Sequence, residues 1–183
     1  MRSAISDCST AWGRMTLAAP DSETALFETL DRLHVKLQKL EHKPVFTVAE
    51  SDEIHHALPG IHTKNLFLKD EGGAFWLVTA PADATIDVKA LRHKIGSKRL
   101  SFGKPEAMAE LLGIEPGSVT PLAVINDTGG KVTLVLDTAL TGETMVNVHP
   151  LRNTATIGLS GSDLVRVAVD LGHRPRIVDV AEG

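Results

Sequence analysis

Two short segments carry residue types that can act on a carbonyl or phosphate oxygen. His62-Thr63-Lys64-Asn65 leads from the Pro59-Gly60 turn into an apolar, β-prone run. A lysine held there on a rigid element presents a compact cation to an oxyanion. A strand-end lysine pointing into water is the plain alternative. Gly117-Ser118-Val119-Thr120-Pro121 is the second segment. Its glycine lets the backbone approach a ligand, its proline stiffens the exit, and the N–H groups between them can converge on an oxyanion. A simple connection between two elements would use the same residues. His55, His56 and His62 lie close together, but no cysteine is near them and their spacing matches no common site. They read as ordinary surface histidines, and neither a metal nor a cofactor is expected. The chain has no G-x-S-x-G elbow, no P-loop, no dinucleotide-binding glycine pattern and no H-E-x-x-H.

Charge distribution says more than its sum. The formal net charge is −4, with 19 Lys and Arg against 23 Asp and Glu. Yet Lys89, Arg92, Lys94, Lys98, Arg99 and Lys104 fall within one stretch that contains no acid. One concentrated basic segment on an acidic protein suits a specific anionic partner, although a solvated helix face reads the same way.

These residues need a scaffold, and 183 residues suffice for one domain with a real core. A composition of 43% hydrophobic and 23% charged residues is that of a soluble globular protein. No stretch approaches the roughly 18 to 20 apolar residues of a membrane helix. The one cysteine, Cys8, excludes an internal disulfide framework and is compatible with a cytoplasmic location. Residues 1 to 20 lack hydrophobic periodicity and a continuous apolar run, so they read as a disordered extension, with Met15 as an alternative start. The domain is then residues 21 to 183.

Leu26, Leu30, Leu33, Leu37 and Leu40 recur at spacings of four and three, which predicts a helix capped at Asp21 or Ser22 and ending near Lys43, before Pro44. Residues 44–49 read as a strand and 52–58 as a short helical turn. Residues 65–69 and 74–79, joined by Asp70-Glu71-Gly72-Gly73, predict a hairpin. A second hairpin is predicted from 122–125 and 131–136, joined by Asn126 to Gly130. Helices are expected over 87–95 and 105–112, with Gly113 and Gly117 as terminators. A strand over 154–159, a helix capped by Ser160 and ended by Gly172, and a last strand over 176–180 complete the reading. The fold class is α+β: a single domain with a mixed, curved sheet, antiparallel hairpins and packed helices.

Four stretches, taken in order, resemble the YbaK/ProX family of aminoacyl-tRNA editing domains, which includes the insertion domain of bacterial prolyl-tRNA synthetases. They are Pro44-Val45-Phe46-Thr47-Val48, His62-Thr63-Lys64-Asn65-Leu66-Phe67-Leu68, Lys98-Arg99-Leu100-Ser101-Phe102 and Gly117-Ser118-Val119-Thr120-Pro121. The likeness spans about residues 22 to 181, and the Lys64-Asn65 pair with the Val148-His149 region points to the free-standing branch.

The resemblance implies trans-editing: hydrolysis of mischarged aminoacyl-tRNA(Pro), most readily Ala-tRNA(Pro), by water with help from the substrate's own ribose hydroxyl. It assigns Lys64, with the backbone of Gly117 and Ser118, to catalysis. It assigns Phe46, Thr47, Asn65, Val119, Thr120, Pro121, Val148 and His149 to substrate binding. The basic residues Lys89, Arg92, Lys94, Lys98, Arg99 and Lys104 would contact tRNA. The implied partners are the tRNA(Pro) acceptor end and prolyl-tRNA synthetase, with neither membrane nor DNA. His149 stays open between catalytic base and pocket wall, and the stiffening Pro150 favours the wall. Rival readings are a Cys-tRNA(Pro) or Ser/Thr-tRNA deacylase, a non-catalytic tRNA- or synthetase-binding module, and a serine hydrolase built on Ser118, His149 and an Asp.

Overall fold

The computed structural model describes residues 22–44 and 48–181. The expected N-terminal extension, Phe46 and Thr47 all lie outside the described residues. The elements run α1 (Ser22–Arg32), β1 (Gln38–Glu41), α2 (Val48–Ala57), β2 (Ile61–Asp70), β3 (Phe75–Pro81), α3 (Val88–Ile95), β4 (Leu100–Phe102) and α4 (Pro105–Leu112). A 3-10 helix (Pro121–Asn126), β5 (Val132–Asp137), a short 3-10 turn (Thr138–Leu140), β6 (Met145–Val148), β7 (Ala155–Ser160), α5 (Gly161–Asp170) and β8 (Arg176–Val178) follow.

One mixed sheet orders the strands β1-β7-β6-β2-β3-β5-β8, with β4 also on β2. The β2–β3 hairpin forms as the turn residues predict, Thr63 to Lys69 pairing with Pro81 to Phe75. Alternation along β3 separates two cores. Leu77 joins α1, α4, α5 and the 3-10 helix on one face, while Trp76, Val78 and Ala80 join Leu91 and Ile95 of α3 on the other. Burial on both faces is why β3 and β5 read as nearly continuous apolar runs.

The position of β2 shapes the site. One edge pairs with β3 throughout, but the other pairs with β6 only at Ile61 and His62, and with β4 only from Leu68 to Asp70. Among the described residues, Thr63 to Phe67 therefore have no strand on that edge, and the sheet opens beside Lys64 and Asn65.

Three expectations are corrected. The first helix ends at Arg32, not Lys43, because His34 turns left-handed (φ 53°), with His34 N–H donating to Asp31 and Val35 N–H to Leu30. Leu40 lies on β1, while Leu33 and Leu37 pack on the core from beyond the helix, so their spacing was not helical periodicity. Val48 and Ala49 open α2 instead of ending a strand, and the expected helical turn over 52–58 becomes α2. The second hairpin is absent. Thr120 and Pro121 start a 3-10 helix whose Leu122, Ala123 and Val124 are buried, and β5 lies parallel to β3. A four-residue apolar run does not distinguish a buried strand from a buried helix. Elsewhere the punctuation holds. Ser160 caps α5 and Gly113 ends α4 in the left-handed region, while Asp87, read as the first residue of its helix, instead caps α3.

Candidate active site

The gap in the β2 edge opens into a cavity of about 240 Å³ lined by Thr63, Lys64, Asn65, Gly117, Val119 and His149. The two segments singled out by residue type thus face a common space. Lys64 Nζ donates to the Ala84 carbonyl in the loop before α3. Among the described residues no carboxylate lies within ion-pair distance of Lys64. The residue is half-buried, and with no carboxylate partner among the described residues its charge is available to an anion.

Asn65 does different work. Its Nδ2 donates to Val119 O (2.8 Å), and its Oδ1 accepts from Thr79 Oγ1 (2.7 Å), a hydroxyl with no solvent exposure. The side chain ties the Gly117 loop to β3 through β2. A buried amide satisfied at both ends in this way fixes the loop. Gly117 takes φ +92°, a conformation that L side chains rarely adopt.

The remaining loop residues divide. Ser118 N–H donates to Glu115 O, and Ser118 is not among the residues lining the cavity. The structure therefore turns the expected Ser118 contribution back into the turn. Gly117 and Val119 form the wall, and neither of their amides has a protein acceptor among the described residues. Thr120 is fully buried and its Oγ1 accepts from Leu122 N, while Pro121 is buried in the first turn of the 3-10 helix. Both shape the loop from behind. No hydrogen bond joins Ser118 to His149 among the described residues, so a serine triad has no support in the geometry.

His149 borders a second cavity of about 230 Å³, lined also by His55, His62, Asn147, Val148 and Thr156. His149 and Thr63 are common to both cavities. Because a carbonyl only accepts, the contact of His149 Nδ1 with Ala155 O (3.0 Å) places the proton on Nδ1 and leaves Nε2 a lone pair when the ring is neutral. Burial, reinforced by nearby His42, lowers the His149 pKa below the ordinary imidazole value against the opposing Ala155 carbonyl. His62 is lowered likewise by burial and by His55 and His149, while it donates from Nε2 to Leu58 O (2.9 Å). His62 is therefore no ordinary surface histidine. It is half-buried, stacks on His55 with ring centroids 3.9 Å apart, and lines this second cavity. Among the described residues no group of His, Cys, Asp and Glu is arranged to hold a metal. A broader cavity of about 540 Å³ continues past His55 and His62 to Pro81, Ala82 and Asp83.

The turn that carries His149 is clamped from outside. Arg152 Nε donates to Glu23 of α1 (2.9 Å), and its Nη1 and Nη2 donate to Glu41 of β1 (2.8 and 2.7 Å). These contacts raise the Arg152 pKa further and hold Glu41 at about 2, with Arg152 the main cause and Lys39 assisting. The clamp offsets the left-handed backbone at Leu151 (φ 68°), two residues after His149. Composition gave no signal for it, since its three residues lie far apart in sequence.

The basic segment lies elsewhere. Lys89, Arg92 and Lys94 are on α3; Lys98 and Arg99 precede β4; Lys104 precedes α4. None of them lines the cavity beside Lys64. Register nevertheless relates them, because alternate residues of β2 share a face. Lys64, Leu66 and Leu68 project to the face covered by α3, so the cation and the basic segment share one side of the sheet.

Among the described residues no helix is long and apolar enough to cross a membrane. A family model described as the aminoacyl-tRNA editing domain matches residues 42–167. The prolyl-tRNA editing protein ProX of Acetoanaerobium sticklandii is 36% identical over 161 residues, covering 87% of this chain and 98% of that protein. The prolyl-tRNA synthetase associated domain-containing protein 1 of Danio rerio is 37% identical over 168 residues, covering 91% of each chain. The crystal structure of a candidate trans-editing enzyme for prolyl-tRNA synthetase superposes with a TM-score of 0.64 at 22% identity, over 91% of this chain and all of that one, which concerns the fold alone.

Proposed function

Because the chain belongs to the aminoacyl-tRNA editing domain family, we propose that it is a deacylase that hydrolyses the ester of a mischarged prolyl tRNA, with Ala-tRNA(Pro) as its substrate. The observation that supports the reading is the shared cavity, lined by both Lys64, which has no carboxylate partner among the described residues, and the Gly117–Val119 loop. Water adds to the ester carbonyl carbon, and charge develops on the carbonyl oxygen. The Lys64 ammonium and the free amides of Gly117 and Val119 stabilise that charge. The bond from carbonyl carbon to ribose oxygen then breaks, and the leaving oxygen takes the proton lost by water. The vicinal ribose hydroxyl relays that proton, which suits a site with no side-chain nucleophile.

Selectivity follows from size. A site that accepts proline cannot strongly reject a smaller side chain, since a missing methylene is worth only about 1 to 3 kcal/mol. A second, smaller site supplies the discrimination. At about 240 and 230 Å³ the cavities beside His149 lie below the roughly 300 Å³ at which drug-sized ligand sites begin, which suits an aminoacyl end and not a whole nucleotide. Here His149, held by Ala155 and backed by the Arg152 clamp, acts as a fixed wall. The basic residues of α3 and of the segments flanking β4 bind acceptor-stem phosphates, and prolyl-tRNA synthetase is the protein partner that delivers the substrate.

Initial deacylation rates on Ala-, Cys-, Ser-, Thr- and Pro-charged tRNA(Pro) test the proposal. Fast cleavage of the alanyl ester with the prolyl ester spared is expected. Preferred cleavage of the cysteinyl, seryl or threonyl ester would reassign the substrate, and no cleavage of any ester would remove the enzymatic reading.

A further inference from the structure

Phe102 is the most exposed large hydrophobic residue among those described, at 68% of its surface. It ends β4, a three-residue edge strand, and pairs with Leu68. Residues opposite one another in an antiparallel pair share a face. The ring therefore stands on the side of the sheet from which Lys64 projects. Gly103 N–H donates to Phe67 O (2.8 Å), which holds the chain against β2 immediately after Phe102. Cations flank it on the same segment. The Arg99 side chain is 76% exposed and only 3.7 Å from Glu71, a loose pair that leaves the guanidinium available. Lys98 and Lys104 are exposed as well.

We propose that Phe102 is a stacking platform for an unpaired nucleobase of the RNA strand whose 3′ end reaches Lys64, with Lys98, Arg99 and Lys104 holding the adjoining phosphates. This rests on the deacylase reading and deepens it. An exposed ring among cations is the pairing that single-stranded RNA binds, base on ring and phosphate on cation. A protein partner would leave those cations unmatched unless it were acidic. The spacing fits the unpaired acceptor end. Lys64 and Phe102 stand four residues apart along β2 and one strand across, about 14 Å. That is the length of about four stacked nucleotides at about 3.4 Å each, and of fewer when the strand is extended. The platform thus meets a base shortly upstream of the terminal nucleotide.

The test compares wild type, Phe102→Ala and Phe102→Trp on full-length Ala-tRNA(Pro) and on alanyl-adenosine, which lacks upstream bases. Phe102→Ala should raise KM on the full tRNA by about 10-fold with little change in kcat, and Phe102→Trp should restore it. On alanyl-adenosine all three should agree. Uncharged tRNA carrying 2-aminopurine at the third or fourth nucleotide from the 3′ end should change fluorescence with wild type and not with Phe102→Ala. An unchanged KM for Phe102→Ala, an equal loss on alanyl-adenosine, or a loss seen only when synthetase is present would overturn the proposal. Should wild type cleave neither ester while the Phe102-dependent fluorescence change persists, the deacylase reading would fall and the stacking site would stand.

Discussion

The cavity beside Lys64 and the surface of α3 and β4 both present cations, but they are held by opposite means. Around the cavity the side chains that hold its walls are committed. Asn65 links Val119 to Thr79, Thr63 Oγ1 donates to Asn147 O (2.9 Å), and the His149 turn is fixed by Arg152. Among the described residues, the cations of α3 and of the segments flanking β4 are mostly exposed, and their contacts are peripheral: Arg92 with His93, Lys94 with the Ala181 carbonyl and Arg99 with Glu71. The difference separates two tasks. Stabilising charge as it develops requires groups already in place, whereas binding a polyanion requires charge density and tolerates mobile side chains. Damage to the cavity should lower the chemical rate independently of salt, and damage to the surface should alter KM and its salt dependence.

The largest effect is expected at the loop. Gly117→Val imposes a β-branched side chain at φ +92° and should reduce kcat by about 100-fold or more, measured under single-turnover conditions, as for loss of an oxyanion donor. Next is Asn65→Ala, which leaves the Val119 carbonyl and the buried Thr79 hydroxyl without their partner. It should destabilise the fold by about 2 kcal/mol, seen as a fall in Tm of about 4 to 8 °C, and slow turnover by about 10-fold.

A smaller effect is set by pH. His62 and His149 have lowered pKa values in the fold, so below an unfolded value of about 6.5 the unfolded chain binds protons that the native state does not. The stability they contribute is whole above pH 6.5 and is lost as pH falls toward their folded values. Tm should drop between pH 7.5 and 5.5, and His149→Gln should flatten that drop. Glu41, at about 2, and the lowered Asp70 and Asp170 act in a separate window, below the ordinary carboxylate range. The smallest effect on chemistry is expected from Lys98→Glu with Arg99→Glu. KM should rise, kcat should hold, and the slope of log KM against log salt should fall by about 1 to 2. An unchanged slope would remove these two residues from the RNA contact.

Local rules found the elements that local rules make. The β2–β3 hairpin, the Ser160 cap and the Gly113 terminator are written in neighbouring residues, and so were legible. Lys64 and the Gly117 loop were legible as chemistry, but their meeting depends on the β2 edge left open between β6 and β4, which no window of sequence contains. The same holds for Asn65. The family resemblance implied substrate contact, while its two long-range bonds make it the tether of the loop. The first helix was overextended because leucines on a turn and a following strand fell by chance at helical spacing. The left-handed His34 that stops the helix carries no strong sequence mark.

The most direct test of the Lys64 assignment separates binding from hydrolysis in Lys64→Ala. Binding of uncharged tRNA(Pro) and the single-turnover rate on Ala-tRNA(Pro) at saturating protein are measured side by side. A rate lower by about 100-fold, with affinity within about three-fold of wild type, is the expected result. Weakened affinity with an unchanged rate for bound substrate would contradict it, leaving Lys64 an anchor and not the group that stabilises the oxyanion.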